Sequence, residues 1–479
     1  MCIAAALADG ESELGNVLDS DDLARTRTIL EAAYGARFEP RGGGELMVRG
    51  GSAMGVEGSQ APCKGTGAAP PNFDVGESGT TCRLLMAVLA AGRGHFRLHG
   101  QGRMHERPVA DLAAPLRSLG ARITYEQRDG CLPLRIESAG FDPSLLSADS
   151  VGNGGMVAVS CDESSQYLSG LLLAAPLAPS ELVILLGGSK AVSWPYVGLT
   201  LDILERFGIA FTVEQRQKDT GWERIDWRFL KEPHPGRLRF RVSPGPYRPG
   251  RHVVAGDWSG ASYFLAAGSI GPKPVRVEGL NPDSLQGDAA IQDVLLRMGA
   301  RLEREDSAVT VYPAVLRGIE ADLRHCPDLA PTVAALAAHA TGPTVIRGAA
   351  HLKIKESNRI AALALELRKA GCEVSLTDDG LIIVPPDPGA SGSSGGPRFP
   401  EGGLFSSHHD HRIAMSVALL GLPGLRGGKG FEPSLDDPAC VSKSLPQFWN
   451  LWQSLTSNRD TTLIALLNLP HCGWFSGHK

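Results

Sequence analysis

LLRMGARLERE (Leu295–Glu305) holds the pattern that decides the fold: a leucine-rich helical turn, a glycine, then residues that alternate between apolar and polar. The glycine falls where a helix C-cap calls for a left-handed residue, and the alternation after it moves the period from 3.6 toward two. The same helix, cap and strand return in LEAAYGARFE at Gly35, LRSLGARITYE at Gly120, LERFGIAFTVE at Gly208 and LRKAGCEVSLT at Gly371. Spacings of roughly 70 to 90 residues are too long for a solenoid of single hairpins, so each copy is expected to be a small α/β unit with several strands. Five visible copies predict a sixth in disguise. The turn-rich SPGPYRPGRH, after which VVAGDWSGASYFLAAGSIG begins, divides the chain into two α/β domains, 1–253 and 254–456. A C-terminal extension, 457–479, follows with no clear period and no evident role. SADSVGNGGM around Asn153 and the Gly-, Ser- and Pro-rich run from Pro385 to Gly403 read as loops.

Length and composition agree with a multi-domain globular protein. The 479 residues are 43% hydrophobic and 21% charged, and 58 Gly with 33 Pro imply many tight turns. A formal net charge of -5 removes the expectation of nucleic-acid binding, which needs Lys and Arg in excess on one face, so any anion site must be local. Nine cysteines stand singly with no CxxC pair, as free thiols in a reducing compartment do. The start, MCIAAALADGESELGN, lacks the basic n-region of a signal peptide, and no stretch approaches the ~20 apolar residues of a membrane span. A cytoplasmic protein is expected.

Chemistry-bearing residues gather at predicted helix starts. GESGTTCRLL places hydroxyls and Gly79 before a helix, where backbone N–H groups can hold an anion, with Arg83 one turn in. Without an anion the same stretch is a Ser/Thr-capped core helix with Arg83 on its surface. HERPVADL adds Arg107 before Pro108, read as the N1 residue of a helix. DESSQYLSGLL opens a helix with Ser164, Ser165 and Gln166, and SWPYVGLTLDIL opens another with Ser193 and Tyr196. Several such starts favour a phosphorylated polar ligand over capping alone. In the second half, CPDLAPTVAALA brings Asp328, KESNRI brings Lys355, Glu356 and Arg359, DHRIAMS brings Asp410 and Arg412, and DDPACVSKSLPQFW brings Lys443. Cations at helix starts oppose the helix dipole, so they argue for an anionic ligand.

In order along the chain, GESGTTCRLL, ERPVADL, SSQYLSGLL, SWPYVGLTLDIL, GDWSGASYFLAAG, CPDLAPTVAALA, KESNRI, DHRIAMS and DDPACVSKSLPQFW resemble the motifs of the 5-enolpyruvylshikimate-3-phosphate (EPSP) synthases, the 3-phosphoshikimate 1-carboxyvinyltransferases. The resemblance runs to about Leu455. It implies the enolpyruvyl transferase fold: two domains, each of three α/β units about a pseudo-threefold axis, with the active site in the interdomain cleft. It further implies transfer of the enolpyruvyl group of phosphoenolpyruvate to the 5-hydroxyl of shikimate 3-phosphate, with release of phosphate, on the route to chorismate and the aromatic amino acids. Carried over by motif, Ser164, Ser165, Gln166, Ser193, Tyr196, Asp328 and Lys355 would hold shikimate 3-phosphate. Gly79, Arg107, Gln166, Arg359, Arg412 and Lys443 would hold phosphoenolpyruvate. Asp328 would exchange the hydroxyl proton, Glu356 would serve the methylene carbon, and Lys355 would supply charge beside them. No metal or cofactor is implied, and the enzyme would act as a monomer on small molecules, without nucleic acid or membrane.

Three features depart from the family pattern. The segment of the form P-G-S-K-S-x-S-N-R that opens the family is not matched, since the resemblance starts just after it. Glu77 stands where many members have Asn, and is expected to turn away from an anion. The tail beyond the last motif is foreign. Two alternatives stay open: a truncated, catalytically impaired remnant of the family, and the sibling UDP-N-acetylglucosamine enolpyruvyl transferase, which calls for a reactive loop Cys and no SSQ or DHRIAM pattern.

Overall fold

The computed structural model describes residues 1–51, 70–146, 155–218, 221–230, 232–386, 403–423, 433–456 and 462–465. Most of the two stretches read as loops, 147–154 and 387–402, lies outside them. The chain forms two compact units: Met1–Ala191 with Val197–Ala255 make one, and the other begins at Gly256 and also takes in Val192–Tyr196.

All five glycines take the left-handed conformation that the repeat requires, with φ of 70° at Gly35, 97° at Gly120, 74° at Gly208, 102° at Gly299 and 86° at Gly371. Each ends or follows a helix and leads into an antiparallel strand. Behind each repeat lies one sheet plan, a parallel pair extended by antiparallel strands. In the first unit the orders are Arg251–Val253, Glu11–Gly15, Glu45–Arg49, Arg37–Gly42; then Asn72–Asp74, Arg93–His99, Leu134–Ala139, Arg122–Tyr125; then Met156–Cys161, Leu182–Ala191, Leu238–Val242, Phe211–Gln217, Gly221–Ile225. In the second they are Thr462–Ala465, Val275–Glu278, Ala308–Tyr312, Arg301–Glu305, and Glu320–Asp322, Thr344–Arg347, Leu381–Val384, Glu373–Leu376. The disguised sixth copy is the parallel pair Leu404–Phe405 and Ser434–Leu435, with the helix His411–Leu420 between them. Among the described residues it keeps the parallel pair and its helix but has no glycine-capped helix leading into a strand, which is why the cap motif passes over it.

Parallel strands cannot be joined by a hairpin, so a helix carries the chain from one to the next. Those helices, Gly79–Ala91, Gln166–Ala174, Ala330–His339 and His411–Leu420, are apolar on nearly every side and almost wholly buried, as is Trp258–Ile270. A helix apolar all round belongs in a core. Close approach and buried hydroxyls hold the sets together. Gly170 leaves room for the Arg83 carbonyl, which a Cβ would meet at 2.7 Å, and Ser262 and Thr332 share a hydrogen bond of 2.9 Å. The glycine-capped helices form outer, amphipathic layers. No described helix is long and apolar enough to cross a membrane.

One element was not expected. Thr462–Ala465, inside the extension read as having no period, pairs in parallel with Val275–Glu278 and buries Ile464. Four residues are too few for a period of two to stand out. Ile464→Ala is expected to lower the free energy of urea unfolding by about 2 kcal/mol or more; an unchanged midpoint would show that this strand adds nothing to the core.

Candidate active site

Because a crossover helix runs back from the end of a strand, its N-terminus opens where the strand's C-terminal end does, the usual place for ligands in parallel α/β structures. In the first unit two such starts meet. Ser78 caps Gly79–Ala91, its Oγ accepting from Thr81 N at 3.1 Å. Arg107 is buried across that start and donates from Nη1 to the Glu77 carbonyl at 3.1 Å. A Cβ on Gly79 would stand 2.7 Å from Arg107 Cζ, so a glycine there is what lets the guanidinium lie flat on the helix end. The Glu77 carboxylate reaches over Gly102.

Gln166, first residue of the second helix, donates from Nε2 to Thr80 Oγ1 at 2.7 Å and accepts on Oε1 from Arg83 Nη1 at 2.9 Å. Ser164 Oγ accepts from Gln166 N at 3.3 Å, Ser165 makes no side-chain cap bond, and both are buried. Arg83 is not on the helix surface. It is 3% exposed, lies over the Tyr167 ring at 5.4 Å, and its Nε has no hydrogen-bond partner among the described residues. A buried guanidinium held by an amide and a ring keeps a positive charge that an anion can answer.

The second unit holds the larger cluster, centred on Arg359, the first residue of Arg359–Lys369 and 2% exposed. Its Nε donates to Asp410 Oδ2, its Nη1 to Asp328 Oδ1 and its Nη2 to Glu356 Oε2, each at 2.8 Å. Asp410 caps His411–Leu420, accepting from Arg412 N at 3.0 Å, and also accepts from Ser357 Oγ at 2.9 Å. Arg412 donates from Nη2 to Asp328 Oδ2 at 3.0 Å and from Nη1 to Ser259 Oγ. Lys443 Nζ donates to Glu356 Oε1 at 2.9 Å. Lys355 follows the 3-10 turn Ala350–Ile354, and its charge bears on Asp328. Four cations thus stand with three carboxylates, and the charges meet inside the protein.

Ionisation follows from this packing. Burial pushes the Asp328 carboxyl up, but Arg412, Lys355 and Arg359 outweigh it and hold the group well below the usual carboxylate range. Asp410 is likewise lowered, burial opposing and Arg359 prevailing. Burial above all drives His411 down to about 3, so its imidazole is neutral.

Ser193 and Tyr196 belong to the second unit's set. Ser193 takes a left-handed φ of 53° that a non-glycine residue seldom adopts, and its N–H donates to the Arg324 carbonyl at 3.0 Å. Tyr196 donates its hydroxyl to Asp288 Oδ2 at 3.1 Å. Asp328, Lys355, Glu356, Arg359, Arg412 and Lys443 lie together in the second unit, and Gly79, Arg107 and Gln166 gather in the first.

Two local expectations are corrected. Lys443 ends the 3-10 turn Pro438–Lys443 and does not open a helix, while Pro108 precedes the cap residue Val109 of Ala110–Ser118 and is not at N1. Of the second-half cations only Arg359 and Arg412 stand in a first helical turn, and internal carboxylates answer both. Sequence reading named Arg83 and Asp410 at their helix starts without giving either a partner, and it passed over Asp288. A lone charge in a helix as apolar as Gly79–Ala91 was the available sign for Arg83. The cap position was the sign for Asp410.

The chain matches the model of one family, EPSP synthase (3-phosphoshikimate 1-carboxyvinyltransferase), over residues 1–225 and 231–452. It is 36% identical over 459 residues to the 3-phosphoshikimate 1-carboxyvinyltransferase of Burkholderia ambifaria, covering 94% of this chain and 92% of the relative. Its identity to the enzyme of that name from Paraburkholderia phytofirmans is 35% over 458 residues, again covering 94% and 92%. Among solved structures, EPSP synthase from Acinetobacter baumannii aligns with a TM-score of 0.67 at 25% identity, over 93% of this chain and 90% of that one. The enolpyruvyl transferase NikO from Streptomyces tendae shares the fold, with a TM-score of 0.64 at 16% identity over 95% and 92%.

Asp328 and Asp410 have lowered folded values, so their contribution is complete above the ordinary carboxylate value and is lost as the pH falls through the folded one. Unfolding free energy is expected to drop as the pH is taken below about 4. At pH 7, Asp410→Asn should cost about 3 to 5 kcal/mol in urea unfolding, because it leaves the Arg359 charge short of a buried partner. A variant as stable as the parent would mean that Asp410 does not anchor the cluster.

Proposed function

The chain belongs to the EPSP synthase family, and on that premise we propose that it transfers the enolpyruvyl group of phosphoenolpyruvate to the 5-hydroxyl of shikimate 3-phosphate, giving 5-enolpyruvylshikimate 3-phosphate and phosphate in aromatic biosynthesis. The observation that carries the reading is the three-carboxylate setting of Arg359, with Arg412 and Lys443 on the far oxygens of Asp328 and Glu356. It supplies two proton-handling carboxylates and the cations for a phosphorylated carboxylate in one place.

In this reading Ser164, Ser165, Ser193 and Tyr196 hold shikimate 3-phosphate with Gln166, Asp328 and Lys355. Gly79, Arg107, Gln166, Arg359, Arg412 and Lys443 hold phosphoenolpyruvate. Addition forms a bond from the acceptor oxygen to C2 of phosphoenolpyruvate; Asp328 takes the hydroxyl proton and Glu356 delivers one to C3. Elimination breaks the bond from C2 to the phosphate oxygen while Glu356 removes a proton from C3, so the double bond returns and phosphate leaves. An Asp328 held far down by Arg412 is a weak base. An anionic substrate that draws Arg412 and Lys443 to itself would release Asp328 Oδ2 and Glu356 Oε1, which each now spend on those cations. Substrate charge would then make Asp328 a stronger base and let Glu356 carry the proton that it delivers.

The seven described cysteines are free thiols, which supports a reducing compartment, the cytoplasm. The formal charge of -5 supports small-molecule partners over nucleic acid, and we take the working form to be the monomer.

Phosphate release by residues 1–479 with both substrates tests the reading. Turnover is expected, and Glu356→Gln should reduce kcat by about 100-fold or more while phosphoenolpyruvate binding stays within a few-fold. No turnover by the parent would favour the impaired remnant; turnover with a UDP-linked amino sugar would favour the sibling enzyme. Gly79→Ala should displace Arg107 and raise the KM for phosphoenolpyruvate by roughly tenfold, the worth of one charge-assisted hydrogen bond, with a smaller effect on shikimate 3-phosphate.

A further inference from the structure

Outside the roles given above, the buried carboxyl of Asp288 has no assignment. Asp288 lies in the 3-10 turn Gly287–Ala290 and is 2% exposed. Its turn is fastened: Gln286 Oε1 accepts from Trp258 N at 3.0 Å and Gln286 Nε2 donates to the Gly256 carbonyl at 2.9 Å. A Cβ on Gly287 would stand 2.6 Å from the His325 carbonyl oxygen and 3.2 Å from Pro195 Cγ. Glycine therefore lets the turn press between the segment bearing Tyr196 and the one bearing Asp328. Oδ2 accepts from the Tyr196 hydroxyl at 3.1 Å, while Oδ1 is buried with no hydrogen-bond partner among the described residues. An ionised carboxylate with one oxygen stranded this way would cost far more than a neutral acid.

The groups that face Asp288 come from every side. Tyr196 opens the helix Pro195–Arg206, Asp257 caps Trp258–Ile270, His325, Cys326 and Asp328 precede Ala330–His339, and Arg412 lies in His411–Leu420. Burial first, then the Asp328 charge, push the Asp288 carboxyl up to about 7, with Arg412 opposing. The neighbour Asp328 is driven the other way. Two adjacent carboxyls split like this mark one as proton-bearing and the other as ionised.

We propose that Asp288 is a positioning residue of the transfer reaction, a carboxylic acid that fixes the Tyr196 hydroxyl and, by staying uncharged, leaves Arg412 to Asp328. It acts through Tyr196 and Asp328 on the acceptor substrate, and the proposal rests on the function given above. When Asp288 ionises, it competes for Arg412 and repels Asp328, so the site loses its arrangement on the alkaline side.

The test uses the full chain with Asp288→Asn and Asp288→Ala. Asn is neutral at every pH and keeps an oxygen for Tyr196. Asp288→Ala should raise the KM for shikimate 3-phosphate by about tenfold through loss of one buried hydrogen bond, with a smaller effect on the KM for phosphoenolpyruvate. Asp288→Asn should recover most of that loss and should flatten the fall of kcat/KM expected of the parent above pH 7. A folding readout runs in parallel. A raised carboxyl stabilises the fold below its unfolded value and loses that contribution as pH rises through about 7. The stability of the parent relative to Asp288→Asn should therefore decline between pH 5 and pH 8. If that difference is flat and the two pH–rate profiles coincide, the proposal is wrong. If the parent releases no phosphate at all, the proposed function has failed instead; the unfolding series then decides the protonation, and calorimetric titration of the parent and Asp288→Ala with shikimate 3-phosphate decides the hold on Tyr196.

Discussion

Arg359 is the constraint on which the second unit is built. A guanidinium 2% exposed cannot stand alone, and three carboxylates from three places in the chain converge on it. Asp328 arrives on the turn before one buried helix, Asp410 as the cap of another, and Glu356 from the segment just ahead of Arg359 itself. Fixing their oxygens on one planar fork fixes the helix starts relative to each other, which no apolar contact could do with the same directionality. The net stabilisation of such a cluster over an apolar core is small, while removing one member is expensive. A cluster of this kind sets geometry first and stability second.

Much of this was legible in advance because glycine caps and motif order are local signals. Gly35, Gly120, Gly208, Gly299 and Gly371 each declare a left-handed position that other residues adopt only with strain. Asp328, Lys355, Glu356, Arg359, Arg412 and Lys443 declared themselves through short motifs. What sequence did not give was set by tertiary contact. The sixth α/β unit carries no such cap motif, and Thr462–Ala465 is a strand because Val275–Glu278 has an edge to pair. The alternative that set Arg83 on the surface of a capped core helix fails, since the neighbouring helix covers it. Asp288 looks in sequence like any acid in a turn; only the packing of three segments around it sets its charge.

Both units place their chemistry at the starts of helices too apolar to be anywhere but inside. Gly79–Ala91, Gln166–Ala174, Ala330–His339 and His411–Leu420 serve at once as core and as platform. Side chains there inherit the rigidity of the core, so the hydroxyls, amides and guanidiniums need little ordering when an anion arrives. In the first unit Arg83 is held by an amide; in the second the cations are already matched to carboxylates. An anion would be received by the former as a missing partner and by the latter as a competitor.

The parallel pairs that begin the sheets also dictate an order of assembly. In the second, third and fifth sheets the two parallel strands are neighbours along the chain, joined by one helix. In the first, Glu13 is matched with Arg251, and in the fourth, Val275 with Thr462. Those sheets cannot close until nearly the whole of their unit has been synthesised. Until then Glu11–Gly15 and Val275–Glu278 present bare edges, the condition under which nascent chains pair wrongly or with one another. Long-range parallel pairing is also slow, because the loop must be closed before any contact rewards it. The ends of each unit thus act as its latch, and the vulnerable interval in the life of this protein is the time between making the first strand and making the last.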